Sequence, residues 1–399
     1  MGESQAEKGE AMSAFAIKSK ELVLPYGIDG FGYLVIEDGK FCGVSIAEPK
    51  GMPTVDRTDC WVAPGFVDTH IHGFMGKDVM DCDSEAVHVI SRGLACHGTT
   101  SWLATTLTAG TQRTGEACQS VAVAAAAQRT NGELEEARIQ GIFLEGPFFT
   151  EEHKGAQDPR YLADPRIELL DAWQEQAEGL IRKTALAPER KGAKEYIAAA
   201  TARGVVAAMG HSSATYGQAV EAVLAGASEV VHTFNGMDDL GHRNPGIVGC
   251  AMTSQGVYAE LICDGNHVDP IVCEALTRAK GWEHVVLITD CLSCGGLPDG
   301  NYHIGELPIV LSGGEARLRD GGNLAGSTLT LVDAVRNVVS WGIVTTEQAI
   351  RMASEVPARA NGIADRCGFI LPGRDADLVV LDQELNLVET YVGGRQIPA

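Results

Sequence analysis

Six places in the sequence hold side chains that could bind a metal or move a proton together. Asp68-Thr69-His70-Ile71-His72 sets two imidazoles two residues apart. Glu145-Gly146-Pro147, Gly210-His211-Ser212, His232-Thr233, Asp264-Gly265-Asn266-His267 and Asp290 follow in order. On an extended strand, residues two apart face the same way, so His70 and His72 could share one ion. Imidazoles and carboxylates in combination suit a first-row divalent cation. Such an ion lowers the pKa of bound water toward neutrality and polarises a carbonyl oxygen. A carboxylate beside that water can take its proton and deliver it to a leaving amine. Asp290 suits that part because it stands alone, whereas Glu145 suits metal binding. The chemistry implied is hydrolysis of a C–N bond, most simply an amide. A single histidine after a strand is more often a satisfied polar residue than a ligand, and Asp290 alone could be a turn or N-cap residue. The weight lies in the constellation.

These residues need a scaffold that brings distant segments to one place. Short apolar runs end at the reactive residues: 66–71, 101–107, 139–144, 182–187, 204–209, 229–231, 257–262 and 284–289. Helical patterns fall between most of them, at 84–96, 111–128, 166–176, 193–202, 215–225 and 270–279, with 329–339 after the eighth run. Eight βα units with buried parallel strands predict a closed (β/α)8, TIM-like barrel, in which strand ends converge on one mouth. An open doubly wound sheet is the alternative, but no Gly-x-Gly-x-x-Gly run supports dinucleotide binding. Both chain ends read as β-structure, with strands at 14–17, 32–36, 41–46, 377–381 and 387–392. The expected domains are a β-sandwich part at 1–63, a barrel at 64–355 and a second sandwich part at 356–399. A Gly-rich insert, 301–322, is expected to form a hairpin. His88, His97, His153, His242, His284 and His303 lack strand-end placement and read as surface or structural.

The bulk composition narrows the partners. A hydrophobic fraction of 45% is ample for a large core. The net charge of -22 disfavours nucleic acid and anionic membrane, so an anionic substrate would need a local basic anchor. The segment 1–12 is polar and lacks an apolar leader, and no stretch of about 20 apolar residues occurs; a cytoplasmic protein is expected. Cys60, Cys96, Cys263 and Cys273 sit in apolar runs and read as small buried hydrophobes. Cys291 and Cys294 form a lone Cys-x-x-Cys, where neither zinc binding nor redox chemistry is expected.

Further runs between the strand ends are Leu144-Glu145-Gly146-Pro147-Phe148, Lys154-Gly155-Ala156, His232-Thr233-Phe234-Asn235-Gly236-Met237, Arg243-Asn244-Pro245-Gly246 and Leu324-Ala325-Gly326-Ser327. Together with Pro64-Gly65-Phe66-Val67-Asp68, these closely resemble the N-acetylglucosamine-6-phosphate deacetylases of the amidohydrolase superfamily, strongly over 64–327. The resemblance implies Glu145, His211 and His232 as main metal ligands and Asp290 as catalytic acid/base. It implies substrate contacts at Ala156, Gln157, Asn235, Gly236, His267, Leu324, Ala325, Gly326 and Ser327, with Arg243 pairing with the substrate phosphate. Some family members have Gln and Asn in place of the first two histidines and hold one metal. This chain keeps His70 and His72, which implies a second ion at His70, His72 and Glu145; otherwise the pair supports a single-metal site through hydrogen bonds. Where some members have His, this chain has Gln157, which cannot titrate. One or two ions of zinc, iron, manganese or cobalt and a homodimer are implied. The resemblance implies removal of acetate from N-acetylglucosamine 6-phosphate to give glucosamine 6-phosphate, with the galactosamine epimer as the nearest alternative. A cyclic-amide hydrolase or a catalytically silent sugar-phosphate-binding protein are the remaining alternatives.

Overall fold

The computed structural model describes residues 14–130, 134–305, 307–320 and 322–398; the polar segment 1–12 lies outside them. Eight strands form one parallel sheet in sequence order: β1 (Phe66–Ile71), β2 (Thr99–Thr106), β3 (Arg138–Phe148), β4 (Ile181–Leu186), β5 (Val206–Met209), β6 (Glu229–Val230), β7 (Tyr258–Ile262) and β8 (Val285–Ile288). The ring nearly closes between its first and last members: Asp290 N donates to His70 O at 2.9 Å, and Ile71 bridges Cys291 in parallel. All residues of β1 and β2 are buried, as a sheet covered on both faces requires. The layout is a TIM-like barrel.

Helices cover the outside: α1 (Ser84–Cys96), α2 (Thr111–Thr130), α3 (Ile167–Gln176), α4 (Ala193–Ala202), α5 (Tyr216–Ala225), α6 (Gly246–Thr253), α7 (Pro270–Lys280) and α8 (Leu331–Ser340). Their starts are fixed by side-chain caps. Asp83 accepts from Glu85 N before α1, and Thr215 with Gln218 forms a capping box at α5. The sequence pattern gave no helix between β6 and β7. There α6 is buried from Gly246 to Ala251, so it lacks the polar stripe that makes a helix readable.

Strands from both chain ends form two further sheets. One holds Lys40–Ser45, Gly32–Glu37, Ala14–Ser19 and Thr54–Asp56; the other holds Arg395–Gln396, Leu387–Val392, Leu378–Leu381, Trp61–Pro64, Glu21–Leu24 and Gly27–Asp29. Trp61–Pro64 pairs antiparallel with Leu378–Leu381, which joins the two ends of the chain. Phe15, Ile17, Leu34, Ile36 and Phe41 from one sheet meet Leu22, Val62, Leu378, Val380 and Tyr391 from the other in a shared core. Phe15 stacks on Tyr391 at 5.9 Å.

The insert is larger than the expected hairpin. Gly300–Ile304, Leu307–Ser312, Glu315–Leu318 and Leu324–Gly326 form a four-stranded antiparallel meander. Gly313 and Gly314, at φ 59° and 84°, make the tight central turn that only a positive-φ pair allows. Its last strand leads to Ser327, which bridges Cys291, so the meander returns the chain to the barrel mouth beside Asp290.

Candidate metal centre

Alternation along β1 sends Asp68, His70 and His72 to the same side of the strand, toward the barrel axis. Glu145 comes from β3, His211 and His232 follow β5 and β6, and Asp290 follows β8. His70 and Glu145 are 0% and 2% exposed, and His72, His211 and His232 are also buried. Glu145 is shared. Its Oε1 lies 3.2 Å from His70 Nε2, 3.3 Å from His211 Nε2 and 3.1 Å from His232 Nε2; its Oε2 lies 3.3 Å from His72 Nε2. Two ligand sets result, His70–His72–Glu145 and Glu145–His211–His232, each with donor atoms within 4.8 Å of one another. Asp290 Oδ1 faces the first set, 3.5 Å from His70 Nε2 and 3.2 Å from His72 Nε2.

The donor chemistry fits a cation. His211 Nδ1 donates to the His153 carbonyl at 2.8 Å, and His70 Nδ1 lies 2.8 Å from Glu260 Oε2. With those nitrogens protonated, each Nε2 turns a lone pair inward. His211 Nε2 and His232 Nε2 stand 3.0 Å apart, and His70 Nε2 is buried without a hydrogen-bond partner. Lone pairs converging on a buried carboxylate need a positive centre between them.

The charges in the site support one another. Burial pushes the Glu145 carboxyl up, but His70, His211 and His232 outweigh it and hold it well below the usual range. Burial also raises Asp290, and His70 and His72 bring it down. Burial lowers His72, yet Asp290 and Glu145 raise it to about 10. The same carboxylates would attract a cation. His211, His232 and Asp290 have positive φ, at 48°, 27° and 49°. Such backbone is uncommon outside glycine and clusters at functional sites.

The other expected residues divide. Gln157 is buried; its Nε2 donates to Glu145 Oε2 at 2.6 Å and its Oε1 accepts from Thr108 N at 2.8 Å. The amide of this expected substrate contact is thus turned toward the ligand carboxylate. Ala156 is buried beside it. Gly236 has φ 61°, and a Cβ there would lie 2.9 Å from His211 Nδ1, so this position needs glycine for two reasons. Asn235 Nδ2 donates to the His232 carbonyl at 3.2 Å. Leu324, Ala325, Gly326 and Ser327 run beside Asp290: Ser327 N donates to Asp290 O at 2.9 Å. His267 is held by Asp264 Oδ2 at 2.6 Å from its Nδ1. Arg243 is exposed on the loop after β6 and carries no ion pair or hydrogen bond among the described residues. No described contact ties His267 or Arg243 to the ligand cluster.

Cys291 and Cys294 are buried free thiols pushed up by burial, and neither belongs to a ligand set. Cys263 and Cys273 are buried as expected, and Cys60 is half-buried against the sandwich core, but Cys96 is exposed at the end of α1, so the apolar-run reading fails there. His153, set aside as structural, supports His211 through its carbonyl while its ring meets Asp238 at 2.8 Å. A cavity of about 810 Å³ lies one step from the centre, lined by Asp78, Thr108, Ala156, Tyr161, Ser293 and His303 among others. No member of the two ligand sets lines it, so the chemistry is placed at the cluster.

The sequence profile of the amidohydrolase family matches residues 61–397. The chain belongs to the amidohydrolase family. Among its relatives in that family, the N-acetylglucosamine-6-phosphate deacetylase of Vibrio furnissii is 38% identical over 84% of this chain and 82% of its own length. The N-acetylgalactosamine-6-phosphate deacetylase of Escherichia coli O157:H7 is 37% identical over 91% of this chain and 93% of its own. A solved variant of N-acetyl-D-glucosamine-6-phosphate deacetylase from Mycobacterium smegmatis, in complex with N-acetyl-D-glucosamine-6-phosphate, superposes with a TM-score of 0.89 at 31% identity. It covers 96% of this chain and 99% of that one.

Proposed function

We propose that this amidohydrolase removes acetate from N-acetyl-D-glucosamine 6-phosphate, giving D-glucosamine 6-phosphate. The observation that carries the reading is the shared Glu145 between two imidazole pairs, with Asp290 Oδ1 facing one of them at the barrel mouth. The relatives named above supply the substrate class.

Glu145, His211 and His232 would hold one divalent ion, and His70, His72 and Glu145 a second. The mixed donors accept zinc, iron, manganese or cobalt. When bound, the metal supplies a more acidic water and a Lewis acid for the acetyl carbonyl. Asp290 takes the proton from the attacking water and returns it to the departing amine. The attack breaks the C–N bond, the acetyl group leaves as acetate, and the sugar keeps the amine. Gln157 orients Glu145 and walls the acetyl side together with Ala156. Asn235 and Gly236 offer contacts to the phosphate, and Arg243 pairs with it as the local cation an acidic chain requires. His267 contacts the sugar, and Leu324, Ala325, Gly326 and Ser327 form the wall beside Asp290.

A homodimer belongs to this reading. Leu240 and Ile271, 49% and 71% exposed after β6 and β7, are apolar groups a second copy would cover. Light scattering should return twice the chain mass. A cytoplasmic setting also belongs to it, supported by eleven cysteines that are all unpaired. The domain division at 63/64 and 355/356 completes it.

The galactosamine epimer is the second reading, favoured by the 37% identical relative named for it. The test is acetate release by metal-stripped protein, with zinc, iron, manganese or cobalt restored, on both 6-phosphates. Higher kcat/KM on the glucosamine epimer is expected. Preference for the other epimer would move the assignment, and no acetate from either would end it.

A further inference from the structure

Three charged side chains lie inside the barrel, beneath the ligand cluster, where a barrel interior is ordinarily filled by branched apolar residues. Lys183 on β4, Glu229 on β6 and Glu260 on β7 are each 0% exposed. Lys183 Nζ bonds to Glu260 Oε1 and lies 3.1 Å from Glu229 Oε2. It also sits 4.4 Å from the centroid of the Phe143 ring, which meets His70 edge-on at 4.9 Å.

The second oxygen of Glu260 reaches both halves of the metal centre. Glu260 Oε2 lies 2.8 Å from His70 Nδ1, and it accepts the backbone N–H of His232 at 3.0 Å. One carboxylate therefore holds the ring of a ligand from the first set and the main chain of a ligand from the second. A carboxylate at Oε2 can only accept, so the proton of a neutral His70 must sit on Nδ1 and the Nε2 lone pair must face Glu145. Lys183 fixes the other oxygen and offsets a buried negative charge that would otherwise be costly. Glu229 joins this arrangement through its ion pair with Lys183.

We propose that Glu260, anchored by Lys183, is a positioning residue that fixes the tautomer and ring orientation of His70. Through that hold it sets how tightly the His70–His72–Glu145 set binds a divalent ion. The proposal rests on the two-set reading of the centre but not on the identity of the substrate.

Zinc affinity measured by chelator competition tests it on Glu260→Gln, Lys183→Met and Glu229→Gln, with the visible spectrum of the cobalt-loaded proteins as a second readout. In Glu260→Gln, one zinc equivalent should bind about 10- to 100-fold more weakly, the range for loss of a residue that orients a metal ligand. Its cobalt spectrum should change. Lys183→Met should shift zinc affinity the same way, whereas Glu229→Gln, which leaves the Glu260–His70 contact in place, should change it much less. If Lys183→Met does not fold, Lys183→Met/Glu260→Gln removes both charges together and should show the weak zinc equivalent. Parental zinc affinity in Glu260→Gln overturns the proposal. Equal loss in all three single variants also overturns it, because it marks a network that only packs the barrel. Absence of acetate release by the parent protein would count against the deacetylase reading while these zinc titrations still decide the inference.

Discussion

Glu145 is the residue on which the centre turns, since both ligand sets use it and Gln157 holds it from behind. A Gln at that position keeps the shape but removes the negative charge that four imidazoles face. Glu145→Gln should therefore lose metal from both sets, not one, and acetate release should fall by at least about a hundredfold. Elemental analysis of the purified variant checks this; retention of a full metal complement would refute the shared role. The ligand candidates were legible because each stands at the end of an apolar run. Gln157 was legible only by resemblance, and its hold on Glu145 was hidden because the Thr108 backbone that fixes it comes from another strand end.

At the scale of elements, the strands were readable and the barrel interior was not. β1 matches its expected bounds, 66–71, and most other strands differ by a residue or two at an end. β3 runs four residues further, through Phe148, because the chain stays extended past Glu145. Lys183, Glu229 and Glu260 were passed over, although a charge inside a buried parallel strand is itself a signal. Burial lifts the Glu229 carboxyl from 4.5 to about 7 against the pull of Lys183. An acid whose folded pKa exceeds its unfolded value holds an extra proton when folded, so its contribution to stability falls as pH rises from about 4.5 through about 7. Glu229→Gln should flatten that fall, a difference on the order of a few kcal/mol between pH 5 and pH 8. Denaturant unfolding of parent and variant at both pH values measures it; parallel pH profiles would contradict the assignment.

For the whole molecule, the acidic balance and Arg243 belong together in the proposed reading. A net charge of -22 disfavours a phosphorylated sugar over most of the surface, so the proposed substrate would need a local cation, the part given to Arg243. Arg243→Ala should raise KM for the 6-phosphate about 10- to 100-fold, equivalent to one charge-assisted bond, with a smaller change in kcat. An unchanged KM would remove Arg243 from the phosphate site. That both ends build one sandwich was legible, but which strands pair was not, because Trp61–Pro64 finds Leu378–Leu381 across more than three hundred residues of chain.

The central claim is that a metal centre at the barrel mouth works with Asp290 as its proton carrier. Asp290→Asn keeps the side-chain volume and leaves both ligand sets intact, but it cannot accept a proton. Acetate release and metal content should be measured together on the same preparation. The expected result is a parental metal content with turnover reduced by about a hundredfold or more. Near-parental turnover in a metal-loaded Asp290→Asn protein would contradict the account.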